Sequence, residues 1–410
     1  MSDNKRIFYA CQAVSINQIG DTQVTAGSMV HGAQSIGLTT TFNLEQAFEL
    51  SQIEIYENIE GTPDVEVTME KVLDGYPLIY HLATTGVTIG GAPITGFGLA
   101  GRSAQQCDLR LGLYSAANNN VAVSGDNNGQ SEVEVYCSGM FISSVSYSTP
   151  VDGSATESVT MVGNNKRWLA GADTRIQAAD VLAFDGTDSP LALGVGGVGQ
   201  SGGVQQREDV LLKCSILPVS ILGYRGSGVG VTQSYGNAWD TANDTPLVHI
   251  QSFSCSTDFS REDILELGRK TPYFRPANFP IEVTTEIESI TVSGDFVAAY
   301  EFGDPRYYAT ISSGNNTADE QIFICMRAGY GFDCGNKNKL SSVTYGGGDA
   351  GGGNVSVTYS FSNFNQLDVQ DWANQGYLGA GAVLLSAGTG VNGFANDAGF
   401  GAFPTSDFRT

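Results

Sequence analysis

The sequence predicts an all-β protein made of two homologous β-sandwich or barrel domains, each with a short helix. Two features of the composition indicate β-structure. Only 15% of the 410 residues are charged, and 52 glycines separate stretches rich in Val, Ser and Thr. The third observation is an internal repeat, because segments of the first half return in the same order in the second half. A chain of this length is also expected to form two domains.

The first repeated block joins QSIGLTTTFNLEQAFEL (34–50) to QSFSCSTDFSREDILEL (251–267), without a gap in either copy. Within it, Phe42 corresponds to Phe259. After a one-residue slip, VEVTME (65–70) corresponds to IEVTTE (281–286). Both segments alternate apolar and polar residues, which predicts strands with one buried face.

The second repeated block joins SSVSY (143–147) to SSVTY (341–345), and SVTM (158–161) to SVTY (356–359), and the spacing between the copies is the same for both matches. The spacers STPVDGSAT and GGGDAGGGN are rich in turn-forming residues, so each half is expected to contain a hairpin with a variable tip. A weaker match places CQAVSI opposite CSILPVSI, which begins at Cys214.

Domain boundaries follow from the repeat. We expect a first domain over 1–184, a glycine-rich linker over 185–206 and a second domain over 207–410. The linker contains a G-x-G-x-x-G pattern from Gly194 to Gly199, but no strand is predicted before it and no helical pattern follows. It is therefore not interpreted as a cofactor site.

A short helix is predicted from Ser260 to Leu267. Ser260 is an N-cap residue, Asp263 follows at capping-box spacing and Gly268 is suited to the C-terminus. Asn43 takes the position of Ser260 in the first half, which predicts a similar helix there.

The net charge of −23 argues against a protein that grips nucleic acid, since such proteins place Lys and Arg on phosphates. One basic run, NNKRW, ends at Trp168 and does not change this balance. No signal peptide or membrane span is predicted, so no membrane insertion is expected. An odd number of cysteines without Cys-x-x-Cys predicts reduced, mostly buried thiols in a protein made in a cytosol. The cysteines are Cys11, Cys107, Cys137, Cys214, Cys255, Cys325 and Cys334.

No catalytic, cofactor-binding or metal site is predicted, and the chain is not expected to be an enzyme. Only three histidines are present, and no pair of carboxylates is singled out for catalysis. His31 and His249 precede the repeated strand at nearly equivalent places. Both a pH switch and a structural role at a strand end fit this placement.

The repeated block resembles the core of the phage major tail protein family. The resemblance rests on QAFEL, Tyr56 and PDVEV in the first half, and on ILELG, Tyr273 and PIEV in the second. It covers about half of each repeat, and the first copy has Ser51 where the second has Gly268. The final stretch, 373–410, resembles no family.

The resemblance implies a tube-type β-sandwich, duplicated in tandem, that pairs edge to edge around rings and stacks ring on ring. Three chains are then expected to make a ring with pseudo-sixfold symmetry that conducts DNA during ejection. The implied partners are further copies, tape-measure, terminator and sheath proteins, and DNA as non-specific cargo, all within the virion tail.

The negative charge would keep transiting DNA from sticking to the lumen. Outward acidic residues of the two alternating strands are the candidates for lumen or ring-surface positions, and an ordinary solvated strand face is the alternative. These residues are Glu66, Glu70, Glu282, Glu286 and Glu288. The alternative functions are a tail terminator, a baseplate ring protein, a capsid decoration protein, a host-binding protein and a tail spike enzyme.

Overall fold

The structure is a computed structural model. It describes residues 12–20, 24, 26–51, 53–84, 88–89, 92–93, 99–114, 130–177, 204–214, 217, 250–290, 294–295, 297, 322–326, 330–335, 337–347 and 353–371. The expectations for the G-x-G-x-x-G pattern, His249 and 373–410 lie outside these residues, as does the predicted linker except for 204–206.

The first half of the chain contains eleven of the strands described. They are β1 (Gln12–Gln18), β2 (Ala33–Thr41), β3 (Leu44–Phe48), β4 (Ile55–Glu60), β5 (Asp64–Val72), β6 (Thr88–Ile89), β7 (Ala92–Pro93), β8 (Cys107–Leu113), β9 (Val133–Pro150), β10 (Thr156–Gly163) and β11 (Asn165–Ala170). The helices described in this half are α1 (Ile79–Ala83) and α2 (Leu99–Ser103), with 3-10 turns at Ala26–Ser28 and Gly171–Asp173. A further 3-10 turn, Arg207–Asp209, lies at the start of the second half.

The second half contains the remaining strands. They are β12 (Val210–Cys214), β13 (Ile250–Asp258), β14 (Glu282–Ile290), β15 (Ile322–Met326), β16 (Tyr330–Asp333), β17 (Lys339–Gly346), β18 (Ser356–Phe364) and β19 (Asp368–Asp371). The predicted all-β class is therefore confirmed. In the described ranges each α-helix has only five residues, too few to cross a membrane.

Eight strands of the main sheet run in the order β2-β5-β10-β9-β13-β14-β18-β17, and every neighbouring pair is antiparallel. The first four belong to the first half of the chain and the last four to the second half. The order within the two sets is the same, because β13, β14, β18 and β17 take the places of β2, β5, β10 and β9. One half therefore continues the sheet of the other.

Each half also contributes a second layer of strands. In the first half β1 pairs with β8, β8 with β9, and β9 with β11. In the second half the order is β12-β15-β16-β19. The 18-residue strand β9 joins the two layers of the first half, since its first part pairs with β8 and β11 and its last part with β10 and β13.

The core lies between the layers and is built by alternation. In β5, Val65, Val67 and Met69 are buried, while the residues between them are exposed. Strand β14 buries Val283 and Ile287 in the same way. These two strands and both hairpins, β9–β10 and β17–β18, form as the sequence predicts. Four cysteines of the described residues are buried thiols: Cys107, Cys137, Cys255 and Cys334.

The predicted helix from Ser260 to Leu267 is wrong. Ser260 has a φ of 44°, outside the helical region, and residues 259–263 have no regular secondary structure. Ile264 instead forms an isolated β-bridge with Phe274. The N–H of Ile264 donates to the carbonyl of Phe274 at 3.0 Å, and the N–H of Tyr273 donates to the carbonyl of Ile264 at 2.8 Å. In the first half the corresponding segment forms the hairpin β3–β4, so the helix predicted after Asn43 is wrong as well. Tertiary contacts of the second segment, described below, override its weak helical signals.

Two of the sequence matches are displaced along the strands. The hydrogen-bonded ladders give Val283 as the counterpart of Val65, where the sequence match gives Ile281. They likewise give Phe361 as the counterpart of Met161, where the sequence match gives Tyr359. In the second layer β12 occupies the place of β1, ahead of the segment that the weak match from Cys214 indicates.

Candidate assembly interface

The two halves join where β9 pairs with β13. Val145 lies opposite Thr257, Tyr147 opposite Cys255 and Thr149 opposite Phe253. The backbone N–H of Phe259 donates to the carbonyl of Ser143 at 2.8 Å, which extends the ladder past the end of β13. Hydrogen-bonded pairs alternate along antiparallel strands, so every second residue before Phe259 directs its N–H towards β9.

The segment that follows β13, residues 259–281, folds back onto the first half, and we call it the second arm. The guanidinium of Arg261 donates to the carbonyls of Ile142 at 2.7 Å and Ser103 at 2.6 Å. The ring of Phe274 meets that of Phe141 edge-on, with centroids 5.8 Å apart. These contacts, rather than helix formation, determine the conformation of the arm.

A charged cluster completes the contact between the second arm and the first half. Arg275 is buried and binds Asp64 of β5 at 2.8 Å, and it also binds Asp263 of its own arm. The hydroxyl of Thr62 donates to the carbonyl of Lys270. The arm and the β9–β13 ladder thus form one joint, held by backbone pairing, an aromatic contact and an ion pair.

The opposite edges of the sheet have one partner strand each. Within the described residues β2 pairs only with β5, and β17 pairs only with β18. These edges correspond to the strands of the internal joint, since β2 matches β13 and β17 matches β9. An exposed edge strand presents unpaired N–H and C=O groups and is prone to pair with another chain.

Side chains at these outer edges are more exposed than their counterparts at the internal joint. Phe259 is 0% exposed, whereas its counterpart Phe42 is 69% exposed. Tyr147 is 1% exposed, whereas its counterpart Tyr345 is 52% exposed. The outer edges at β2 and β17 therefore expose side chains whose counterparts at β13 and β9 are buried between the two halves.

The first arm, residues 42–63, contains the hairpin β3–β4 and corresponds to the second arm. Many of its large apolar side chains are open to solvent. These are Phe42, Leu44, Phe48, Leu50, Ile53, Ile55, Tyr56 and Ile59. An exposed apolar surface of this kind is typical of a protein interaction site.

All five acidic candidate residues lie on one face of the eight-stranded sheet. Ladder partners share a face, and the series Glu70, Ser158, Ser146, Ser256 and Thr284 connects β5 to β14. Four of the candidates are exposed: Glu66, Glu70, Glu282 and Glu286. Glu288 is half-buried and accepts a hydrogen bond from Ser252 at 3.3 Å.

Few basic side chains balance these carboxylates. Among the eight described strands, Lys339 at the start of β17 is the basic residue of this face, opposite Ser362. The other lysine of these strands, Lys71, points into the core and binds Asp74 at 2.8 Å. The face is otherwise made largely of Ser and Thr, so it is polar and acidic over most of its extent.

Two buried titratable groups lie behind this sheet. Glu157 accepts hydrogen bonds from the N–H groups of Ile79 and Tyr80 at the start of α1 and from the hydroxyl of Tyr147. Burial raises the pKa of Glu157 to about 7. Burial, together with the charge of Lys71, lowers the pKa of His31 to about 4. His31 lies just before β2, and its ring packs on the ring of Tyr76 at a centroid distance of 4.6 Å.

Comparisons with known proteins yield distant similarity only. No protein-family model and no curated protein matches the chain. Among solved structures it is similar to the anti-feeding prophage cap, a tube-terminating cap, at 12% identity over 42% of this chain and 95% of that one, with a TM-score of 0.28. It is also similar to a chain of the PVC sheath–tube complex, from an extracellular contractile injection system in the extended state. That match has 10% identity over 41% of this chain and 94% of that one, with a TM-score of 0.28. TM-scores this low establish neither the fold nor the function of this chain.

Proposed function

We propose that the chain is a structural subunit of a phage tail tube, which assembles by joining its two outer sheet edges. One observation carries this proposal: the β9–β13 joint inside the chain leaves the equivalent strands, β17 and β2, at opposite edges. A second copy can repeat the same joint there without changing its own fold. The contact is heterologous, so its repetition produces a closed ring or an open helical filament.

A tandem duplication of one tube-type domain explains why both halves have the same strand order. Each chain supplies eight strands to the main sheet. The family resemblance implies six domains per ring, so three copies would close a ring with pseudo-sixfold symmetry. The first arm, with its exposed apolar side chains, adds surface for contacts between copies.

The acidic face of the sheet is suited to a lumen that carries DNA. DNA presents about one negative charge per 1.7 Å of duplex axis, so carboxylates such as Glu66 and Glu286 would repel it. The short Ser and Thr side chains between them offer no apolar or basic surface to hold it. The role is non-catalytic, and tape-measure, terminator and sheath proteins are the expected partners in the virion tail.

Electron microscopy of the purified protein over a concentration series tests this proposal. We expect rings with threefold or sixfold end views at low concentration and stacked rings or hollow tubes at high concentration. Single rings that never stack would instead indicate a tail terminator or baseplate ring protein. A monomer at every concentration, including in the presence of a tail-tip initiator, would reject the proposal in favour of a decoration or host-binding protein.

A variant of the β2 edge separates ring formation from folding. The N–H of Thr40 corresponds to that of Thr257 and points away from β5. Thr40→Pro removes this donor, and proline is tolerated in an edge strand whose N–H faces solvent. We expect Thr40→Pro to remain folded by circular dichroism and to form no rings.

A further inference from the structure

A bridge in the arms and a bulge in the hairpins determine which residues of the free edges, β2 and β17, correspond to residues of the internal joint. In the arms, the pair Ala47–Glu57 matches the bridge Ile264–Phe274, in the same alignment that matches β2 with β13. In the hairpins, one extra residue bulges from the ladder at Ser143 of β9 and again at Ser341 of β17, which the sequence repeat also pairs. Bulges are specific features of a strand, so this coincidence fixes the alignment of the two strands.

The internal joint then predicts the register of a joint between two copies. Val145 opposite Thr257 becomes Val343 opposite Thr40 of the next copy. The N–H of Phe259, which donates to Ser143, becomes the N–H of Phe42 donating to the carbonyl of Ser341. In this register Phe42 enters the environment that buries Phe259.

At one contact, the two aromatic residues of the internal joint correspond to two charged residues in the joint between copies. Phe274 of the second arm packs against Phe141 of β9. The counterparts of these two residues are Glu57 of the first arm and Lys339 of β17, both exposed. A carboxylate and an ammonium group thus replace two rings that touch each other. Glu57 and Lys339 can form an ion pair only if the first arm of one copy lies against β17 of another.

Building on the tube function proposed above, we propose that β2 and the first arm dock on β17 of a second copy, with Glu57 paired to Lys339 of that copy. The occupant of the free edge is another copy of this chain because the docking surface and its complement are both present on every molecule. Lys339 is also the basic side chain of an otherwise acidic sheet face, so the pair selects this edge over other places along the face.

The pairing adds a selection by charge that the contact between Phe141 and Phe274 in the internal joint does not have. Two apolar rings at this point would tolerate either edge of a neighbouring sheet, whereas Glu57 requires the edge that carries Lys339. A contact between two β2 edges or between two β17 edges would not bring Glu57 to Lys339, so it would lack this ion pair. The result is head-to-tail association.

Charge reversal in both directions tests the pairing. We expect Glu57→Lys and Lys339→Glu each to raise the protein concentration needed for ring formation about tenfold, and the double variant to restore it to within about twofold of the unmodified chain. Mass photometry measures the ring fraction, and thermal unfolding of the dilute monomer checks that each variant folds. Glu49→Lys is the matched control, because its counterpart Glu266 binds Arg269 of its own arm at 3.7 Å and lies outside the joint.

The outcomes separate the two proposals. Restoration by the double variant supports the docking mode. A double variant that assembles as poorly as either single variant, while the unmodified chain forms rings, would overturn the Glu57–Lys339 pairing and leave the tube function standing. An unmodified chain that stays monomeric at every concentration would overturn both.

Discussion

The contrast between Phe42 and Phe259 leads to a quantitative prediction for Phe42→Ala. The Phe42 side chain is 69% exposed in the single chain, and its counterpart Phe259 is fully buried at the internal joint. Burying a whole Phe side chain contributes about 1.5 to 3 kcal/mol, so burial of the exposed part contributes about 1 to 2 kcal/mol to each joint between copies. The dissociation constant of one joint should therefore rise about fivefold to thirtyfold in Phe42→Ala.

The folding stability of the monomer should hardly change in this variant, because substitutions of exposed residues stay within about 0.5 kcal/mol. Phe259→Ala should instead destabilise every chain by about 3 to 5 kcal/mol, because it removes a ring from the core. Sedimentation equilibrium measures the association and thermal unfolding measures the folding.

The control for this experiment is Trp168→Ala, which removes a side chain with a similar exposure of 62% from β11, outside the joint. We expect it to form rings as the unmodified chain does. A Phe42→Ala variant that associates as tightly as the unmodified chain would refute the equivalence of the free edge and the internal joint.

Three further predictions concern the fold and the acidic face. The pKa of His31 lies near 4 in the folded state, below its ordinary value of 6.5. Its contribution to folding stability is therefore complete above pH 6.5 and is lost as the pH falls towards 4. In pH-dependent thermal unfolding, a His31→Gln variant should lose less stability over that range than the unmodified chain. Glu134 is buried and accepts hydrogen bonds from Ser131, Arg175 and Ile176 while binding Arg110, so Glu134→Ala should lower the unfolding free energy in chemical denaturation by about 3 to 5 kcal/mol. Under the proposed tube function, reversal of Glu66 and Glu70 to Lys should leave tail assembly intact and slow DNA ejection from phage carrying the variant. Unchanged ejection would show that these residues do not line the lumen.

The sequence predicts the strands well because apolar and polar residues alternate along them, and the apolar residues mark the buried face. Val65, Val67 and Met69 point into the core as expected. The same property limits the prediction of register. A shift by two positions leaves every side chain on the same face, so alternation does not distinguish Ile281 from Val283 as the counterpart of Val65. Only the hydrogen-bonded ladders fix the correct residue.

The prediction for the second arm fails for a different reason. Ser260, Asp263 and Gly268 are suited to helix ends, and local signals of this kind contribute about 1 kcal/mol each. In the non-helical conformation observed, the side chain of Arg261 makes three hydrogen bonds, to the carbonyls of Ile142, Ser103 and Arg275. Two of these bonds reach residues far away in the chain, so no local pattern predicts them.

The candidate interface is only partly visible in the sequence. The match between Phe42 and Phe259 follows from the repeat, and the outward direction of the acidic residues follows from alternation. The difference in burial between the two phenylalanines requires the order of the eight strands, because that order decides which edge is covered. The proposed pairing of Glu57 with Lys339 also depends on the arm and hairpin alignments, which the bridge and the bulge provide.

The most direct test of the central claim is disulfide crosslinking across the joint between copies. Thr39 and Thr344 should face each other there as a pair without mutual hydrogen bonds, with Cα atoms about 4.5 Å apart, within the range that a disulfide spans. In the chain carrying Thr39→Cys and Thr344→Cys, mild oxidation should link copies into covalent oligomers on non-reducing electrophoresis, ending at the ring size. Thr41→Cys with Thr344→Cys, displaced along the strand, should link poorly, and either single substitution should give only the background of the native cysteines. Equal crosslinking in both registers, or none in assembled rings, would contradict the claim that the joint within the chain is repeated between chains.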